Sequence, residues 1–314
     1  MRYLEDVREN EHVLGHYLCR QKQSLKTRGG KTYYSLRLSD KTGQMDAKVW
    51  ELNNDIQAFE EGDMIKIDAQ VVTFQNELQL KVIKLRKSLE GEYIPLNYVP
   101  CTEKDIDALY GEVLAYIKSV EHPKLRALLE GILVKNEDRA QAFKSHSAAK
   151  QMHHSYMGGL LEHTLNVVQI CDFMSSRYKH LNRDLIITSA LLHDIGKIYE
   201  LSPMPMNDYT DDGQMLGHIT IGVEMVTEEA GKIPDFPHEL ASLLKHSLLA
   251  HHGELEFGSP KLPATIEAFL LHCADNMDAK LKSFEEILDK DSTAGPWTGY
   301  QKVFNRYIRR SDFS

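Results

Sequence analysis

"SALLHDIGKIYEL", residues 189–201, carries an apolar run up to His193 and Asp194, breaks it at Gly196 and follows with Lys197. Two readings compete for the doublet. It is a satisfied core histidine beside a capping acid, or it is a pair of adjacent metal ligands. The stretch alone does not decide, so the neighbouring helices must. From Asp105 onward, apolar residues recur three and four apart in 106–120, 123–136, 158–178, 183–196, 216–231, 238–253 and 263–288, which predicts at least seven helices and no strand.

Several of these helices interrupt an inward-facing stripe with a polar group. His163 shares a face with Val167, Ile170 and Met174, and His193 with Ile186 and Ala190. His218 goes with Ile221 and Met225, His251 with Leu244 and Leu248, and Asp275 with Ala268 and Leu271. One such histidine is ordinarily a core residue; five helices repeating the device point to a shared site. A buried carboxylate such as Asp194 or Asp275 is costly unless paired or bound to a cation. Imidazole with carboxylate is a donor set for Zn, Mn or Fe(II). The histidine load is also uneven, with 13 of 15 lying beyond residue 100.

Residues 13–85 have a different period. Strand-like runs occupy 13–25, 32–40, 43–50, 63–75 and 78–87, and 51–63 between the third and fourth can hold a short helix. Five strands with a helix at that position is the pattern of an all-β OB-fold barrel, with a small SH3-like barrel as the alternative. The expected organisation is an OB-fold nucleic-acid-binding domain over 1–90, a linker over 91–105 and an all-helical domain over 106–314, its metal-site core at about 150–285. In "CTEKD", Thr102 is the expected cap of the first helix.

With 314 residues, 42% hydrophobic and 26% charged, the chain is neither disordered nor fibrous in composition. No apolar run approaches the roughly 18 residues of a membrane span. The start, "MRYLEDVREN", does not read as a secretory signal. Cys19, Cys101, Cys171 and Cys273 form no C-x-x-C pair, and a cytoplasmic location is expected. A net charge of −9 excludes a uniformly basic nucleic-acid binder. The charge is uneven, however: residues 1–90 hold 15 Lys and Arg against 14 Asp and Glu, and the remainder 22 against 32. The window from His12 to Ser39 contains Arg20, Lys22, Lys26, Arg28, Lys31 and Arg37 and no acid. Local charge decides where a phosphate backbone docks.

The order His163, His193-Asp194, His218, His251-His252, Asp275 resembles the HD superfamily of metal-dependent phosphohydrolases. The settings match as well: "GGLLEHT", "LLHDIGK", "GH" near 218, "AHH" at 250–252 and "HCADNMDA". With the barrel in front, and with "HHSYMGGLLEHT" and the "GPWTGYQKVFNRY" tail, the whole chain resembles the YhaM-type 3′→5′ exoribonucleases of Gram-positive bacteria. That resemblance implies a manganese-type enzyme removing nucleotides from the 3′ end of single-stranded RNA, with single-stranded DNA left open as a substrate and homo-oligomerisation left open as a state. Fe, Co or Mg would be alternative ions.

The resemblance also implies the ligands. One ion would take His163, His193, Asp194 and Asp275; a second would share Asp194 and use His218 with His251 or His252. Paired ions about 3.5–4 Å apart activate water and neutralise transition-state charge. A carboxylate can bridge two cations, whereas an imidazole binds one. Because 251 and 252 are successive helical positions, only one is expected to face the site. Lys197 is expected to stabilise charge on the scissile phosphate, against the alternative of a solvated helix-end lysine. His153 and His154 precede Gly158-Gly159 and could approach the site, with loop residues the favoured reading. In the barrel, Lys26, Arg28 and Lys31 with Tyr33, Tyr34 and Phe74 are the candidate nucleic-acid contacts, Tyr33 and Tyr34 pointing to opposite faces. The rival functions are an HD phosphohydrolase acting on a free or cyclic nucleotide with a regulatory barrel, and a nucleic-acid-binding adaptor holding a structural metal.

Overall fold

The first strand, β1 (His12–Lys26), serves two partners. Its first half pairs antiparallel with β4 (Met64–Phe74) from His12↔Gln70 to Leu18↔Met64. Its second half pairs with β2 (Thr32–Asp40), and the register shifts between Cys19 and Gln21. The extra residue there, Arg20, bends the strand so that one chain segment turns the corner between two neighbours. β3 (Gly43–Val49) follows β2 by a tight turn, and β5 (Glu77–Lys87) pairs antiparallel with β4 and parallel with β3. The result is a closed barrel in the order β1-β2-β3-β5-β4, the OB-fold arrangement, which leaves no open edge. Alternate residues of β4 (Ile65, Ile67, Ala69 and Val71) point inward and are buried.

The expected short helix over 51–63 is absent. The segment is irregular, with an isolated bridge from Ile56 to Leu85. The physical reason is local. The Asn53 side chain accepts from the Asp55 backbone N–H at 2.9 Å, a turn that competes with helix. Phe59 then plugs the barrel core, fixing the chain in a path no helix would follow.

The computed structural model describes residues 2–75, 77–89, 91–94, 97–150 and 154–311. They fall into two units, Met1–Cys101 with Met204–Asn207, and Thr102–Pro203 with Asp208–Ser314. The second unit contains α1 (Ile106–Ser119), α2 (Pro123–Leu133), α3 (Glu137–Ser145), α4 (Gly159–Ser175), α5 (Arg183–Leu192), α6 (Lys197–Glu200), α7 (Asp211–Lys232), α8 (His238–Ala250) and α9 (Ile266–Lys290). The seven periodic segments all become helices. α3 and α6 are additional: α3 buries only Phe143, and α6 has four residues, so neither carries a readable stripe. Asp105, not Thr102, caps α1, accepting from the backbone of Asp107 and Ala108. The Thr102 hydroxyl instead donates to Glu162 Oε2 at 2.7 Å. Beyond residue 105, strand pairing among the described residues is limited to isolated bridges. No helix among them is long and apolar enough to cross a membrane.

Two local features position the site. α7 is broken at Gly217, whose φ of 71° and ψ of 157° lie outside the helical region. Gly196 keeps right-handed helical angles, so it does not break the chain conformationally. It is there because a Cβ would collide with the His218 carbonyl oxygen and the Gly222 amide of α7. The start of α6 and the second half of α7 are thereby brought into backbone contact.

Candidate metal centre

Five helices deliver their polar groups to one place. α4 presents His163, the end of α5 His193 and Asp194, α7 His218 just past its break, the end of α8 His251 and His252, and α9 Asp275 and Asp278. His163, His193, Asp194 and His251 are essentially inaccessible to solvent. The helices that bear them are joined by an apolar core that includes Leu161, Leu191, Leu192, Leu248 and Leu271.

Asp194 lies between two sets of nitrogens. Its Oδ2 is 3.4 Å from Nε2 of both His163 and His193. Its Oδ1 is 3.4 Å from His218 Nε2 and 3.7 Å from His251 Nε2. Asp275 Oδ1 closes the first set, 3.2 Å from His163 Nε2 and 4.0 Å from His193 Nε2. His218, His251 and His252 form the second set, with ring nitrogens within 4.8 Å of one another. His252 belongs to it because α8 ends at Ala250. Both histidines lie in the turn beyond, so the helical argument that only one of them can face the site does not apply.

The other ring nitrogen of each histidine is already committed. His193 Nδ1 donates to the Ala190 carbonyl at 2.8 Å, His251 Nδ1 to the Leu248 carbonyl at 2.7 Å and His252 Nδ1 to the Phe257 carbonyl at 2.9 Å. His163 Nδ1 donates to Asp278 Oδ2 at 2.6 Å, and His218 Nδ1 to Glu200 Oε1 at 2.9 Å. Carbonyl and ionised carboxylate oxygens only accept, so each Nδ1 carries a hydrogen and Nε2 is the nitrogen turned inward, as a lone pair wherever the ring is neutral. A carboxylate or carbonyl behind the ring is the usual support of a metal-binding imidazole.

Electrostatics treat the rings differently: His251 is held neutral, whereas at His163 the surrounding carboxylates favour an extra proton, whose place a bound cation would take. Burial, with His252 and His193 alongside, pushes His251 well below its ordinary range and keeps it neutral. Burial opposes ionisation of Asp194, but Lys197 and His193 outweigh it and hold the carboxyl well below its usual range. Burial would also lower His163, yet Asp194, Asp275 and Asp278 overcome it and raise that ring well above its usual range. Three buried atoms, Asp194 Oδ1, His218 Nε2 and His251 Nε2, have no hydrogen-bond partner among the described residues. Such orphaned acceptors are expensive, and here all are lone-pair donors aimed at one another. The set fits a divalent cation.

Lys197 opens α6 and sets its ammonium 2.6 Å from Asp194 Oδ2. An open cleft lined by His163, Asp194, Lys197, His252, His272 and Asp275 leads to the site. Sequence reasoning missed Asp278 and Glu200, and it favoured the wrong alternative for His154. Asp278 stands one helical turn after Asp275, a spacing that marks it as a partner on the same face. His154 is not a free loop residue: it is fully buried, with Nε2 3.0 Å from Asp278 Oδ2. His153 lies outside the described residues. Glu200 left no signal, because its approach to His218 depends on the break in α7. His272 donates from Nδ1 to the His251 carbonyl at 3.0 Å and steadies that turn.

In the barrel, Lys26, Arg28 and Lys31 are exposed at the end of β1 and in the following turn, Lys31 lying 3.8 Å from Glu51. Tyr33 stacks on Trp50, a residue not anticipated, with centroids 4.6 Å apart and planes inclined by 22°. Tyr34 turns to the interior, edge-on to Phe59, and so does not join that face. Phe74, at the end of β4, is 59% exposed.

Comparison with known proteins accords with both halves. The family model described as HD domain matches residues 160–280, and that described as OB-fold nucleic acid binding domain matches residues 19–87. Three curated relatives carry the name 3′-5′ exoribonuclease YhaM. The Geobacillus sp. protein is 31% identical over 83% of this chain and 80% of its own length. That of Shouchella clausii is 31% identical over 90% and 88% respectively. That of Halalkalibacterium halodurans is 30% identical over 89% and 87%. With both domains matched in order and this identity held across most of each relative, the chain belongs to the YhaM exoribonuclease family.

Proposed function

We propose that this chain is a metal-dependent 3′→5′ exoribonuclease, hydrolysing phosphodiester bonds of single-stranded RNA and releasing nucleotides. The observation that carries the reading is the convergence of the Nε2 atoms of His163, His193, His218 and His251 on Asp194, with His252 beside the latter two and each of the five imidazoles fixed from behind through Nδ1. The names of the relatives support the substrate and direction, and the barrel supports contact with a single strand. Single-stranded DNA is chemically accessible to the same site.

His163, His193, Asp194 and Asp275 would hold one ion; Asp194, His218, His251 and His252 would hold a second. The donors are imidazole and carboxylate without thiolate, and we assign Mn²⁺ as the working ion. Bound there, the ions supply an activated water and neutralise charge on the phosphoryl oxygens. Asp194 offers one oxygen to each set, which a single imidazole cannot do. The backing groups (Asp278, Glu200 and three carbonyls) hold the tautomer. Lys197 places a positive charge at the cleft, next to Asp194, where charge develops on the scissile phosphate. Lys26, Arg28, Lys31, Tyr33 and Phe74 are the barrel's contacts to the strand. The cytoplasm, where cysteines stay reduced, is the location that suits this function.

The test is degradation of a 5′-labelled RNA carrying either a free or a blocked 3′ end, with Mn²⁺ added and metal content measured. Stepwise shortening of the free-ended RNA alone is expected. Absence of degradation together with turnover of a free or cyclic nucleotide would overturn the reading in favour of a nucleotide phosphohydrolase.

A further inference from the structure

The last described segment lies beyond both family matches and is chemically unlike the unit that bears it. Residues 91–291 hold 18 Lys and Arg against 31 Asp and Glu. Residues 292–311 hold Lys302, Arg306, Arg309 and Arg310 and no acid but Asp312 follows them. Interleaved with the cations are Trp297, Tyr300 and Tyr307, which are 51%, 52% and 59% exposed.

This segment has a defined shape. Trp297 bridges Arg309 and Gln301 bridges Arg306, both antiparallel, and the Thr298 amide donates to the Ile308 carbonyl at 2.9 Å. It is a hairpin. Thr298 and Ile308 are buried and form its inner face. By alternation, Trp297, Tyr307 and Arg309 share the outer face. Tyr300 meets Tyr307 edge-on at 5.3 Å. The base is locked by Arg310, which donates to Asp291 Oδ1 at 2.8 Å and to the Gly295 carbonyl at 2.9 Å. Asp291 Oδ2 accepts from the Gly299 amide at 2.9 Å. Arg310 is therefore occupied by structure, while Lys302, Arg306 and Arg309 are exposed.

The hairpin is also tied to the candidate metal centre by a rigid element. Phe304 packs on Phe284 of α9 with ring centroids 4.4 Å apart. Phe284 lies nine residues beyond Asp275 on that helix, a rise of about 13 Å. Exposed aromatic faces with interspersed cations are the surface that holds a single strand without sequence preference.

We propose that the hairpin 296–310 is a second single-strand RNA-binding element, holding the substrate a few nucleotides upstream of the end undergoing hydrolysis. The proposal rests on the exoribonuclease reading. Trp297, Tyr300 and Tyr307 supply stacking surfaces; Lys302, Arg306 and Arg309 supply phosphate contacts. The three like charges of Lys302, Arg306 and Arg309 disfavour a second hairpin as the occupant.

Trp50 and Trp297 are the chain's two tryptophans, so the full-length W50F protein reports on the hairpin alone. Addition of a 3′-blocked oligoribonucleotide is expected to quench Trp297 fluorescence. Lys302→Glu with Arg309→Glu, both exposed and outside the packing, is expected to raise KM for a long RNA about tenfold with kcat unchanged. It should also lower the salt slope by about 0.7 for each phosphate no longer neutralised. A dinucleotide, too short to reach the hairpin, should be hydrolysed equally by both proteins. Degradation of RNA with no quenching and an unchanged KM would overturn the hairpin and leave the nuclease reading standing. An inert wild-type protein would overturn the nuclease reading, and quenching would still decide the hairpin. Concentration-dependent self-association that disappears in Trp297→Ala, with no effect on RNA, would overturn the proposal in favour of contact between copies.

Discussion

His163 Nδ1 lies 2.6 Å from Asp278 Oδ2, while Nε2 of the same ring lies 3.2 Å from Asp275 Oδ1, so two carboxylates one turn apart on α9 grip opposite nitrogens of one imidazole. Asn166 Nδ2 donates to the other oxygen of Asp278 at 2.9 Å and fixes its plane. Asp278→Ala should weaken metal binding by about 10–100-fold, the usual cost of losing a supporting group behind a histidine ligand. Asp278→Asn keeps an acceptor and should lose less. Calorimetric titration of Mn²⁺ into the metal-stripped protein checks both.

Metal binding should also register as stability. An ion that binds only the folded chain stabilises it by about 2.7 kcal/mol at a hundred times its Kd. Thermal melts with Mn²⁺ and with chelator should separate accordingly. In Asp194→Asn, which withdraws the charge shared by both histidine sets, the separation should shrink, and RNA hydrolysis should fall by on the order of a thousandfold.

Gly196→Ala tests the close approach of α6 and α7. The added methyl meets backbone that cannot rotate away. A loss of about 1–3 kcal/mol is expected from overpacking, read in a denaturant melt. Activity should fall more than stability implies, since the displaced backbone is that of His218.

The cysteines offer a pH-dependent check. Cys19 is sealed in the barrel, and burial pushes its thiol up to about 12. The protonated form is the one favoured by folding. Its contribution is therefore fully present below the ordinary thiol range and declines as pH rises from about 9 toward 12. Cys171 is buried likewise, whereas Cys101 and Cys273 are partly accessible. At pH 8 a thiol reagent should titrate two thiols rapidly in the native protein and all four in denaturant.

Much of this was legible in residue order. Apolar periodicity marks both folds, because a strand and a helix bury different spacings of side chains, and His163, His193, Asp194, His218 and Asp275 stand out as polar breaks in inward stripes. What escaped was set by chain path. The turn that lets His251 and His252 face the same site begins where α8 stops, and nothing in "LLAHHG" marks that end three residues before the glycine. Asn53 and Phe59 replace an expected helix because a side-chain turn and a core plug outcompete it. Glu200 and His154 reach the site only through tertiary approach.

Gly217 interrupts α7 immediately before His218, and the freed His218 amide donates to Glu200 Oε1 at 3.0 Å, the same oxygen that takes the ring Nδ1–H at 2.9 Å. One acceptor thus starts a helix and aims a side chain. Fraying of that helical turn and loss of the imidazole's orientation are a single event. The protection of one backbone amide against hydrogen exchange would count, residue by residue and without any substrate, the fraction of molecules whose second nitrogen cluster is assembled.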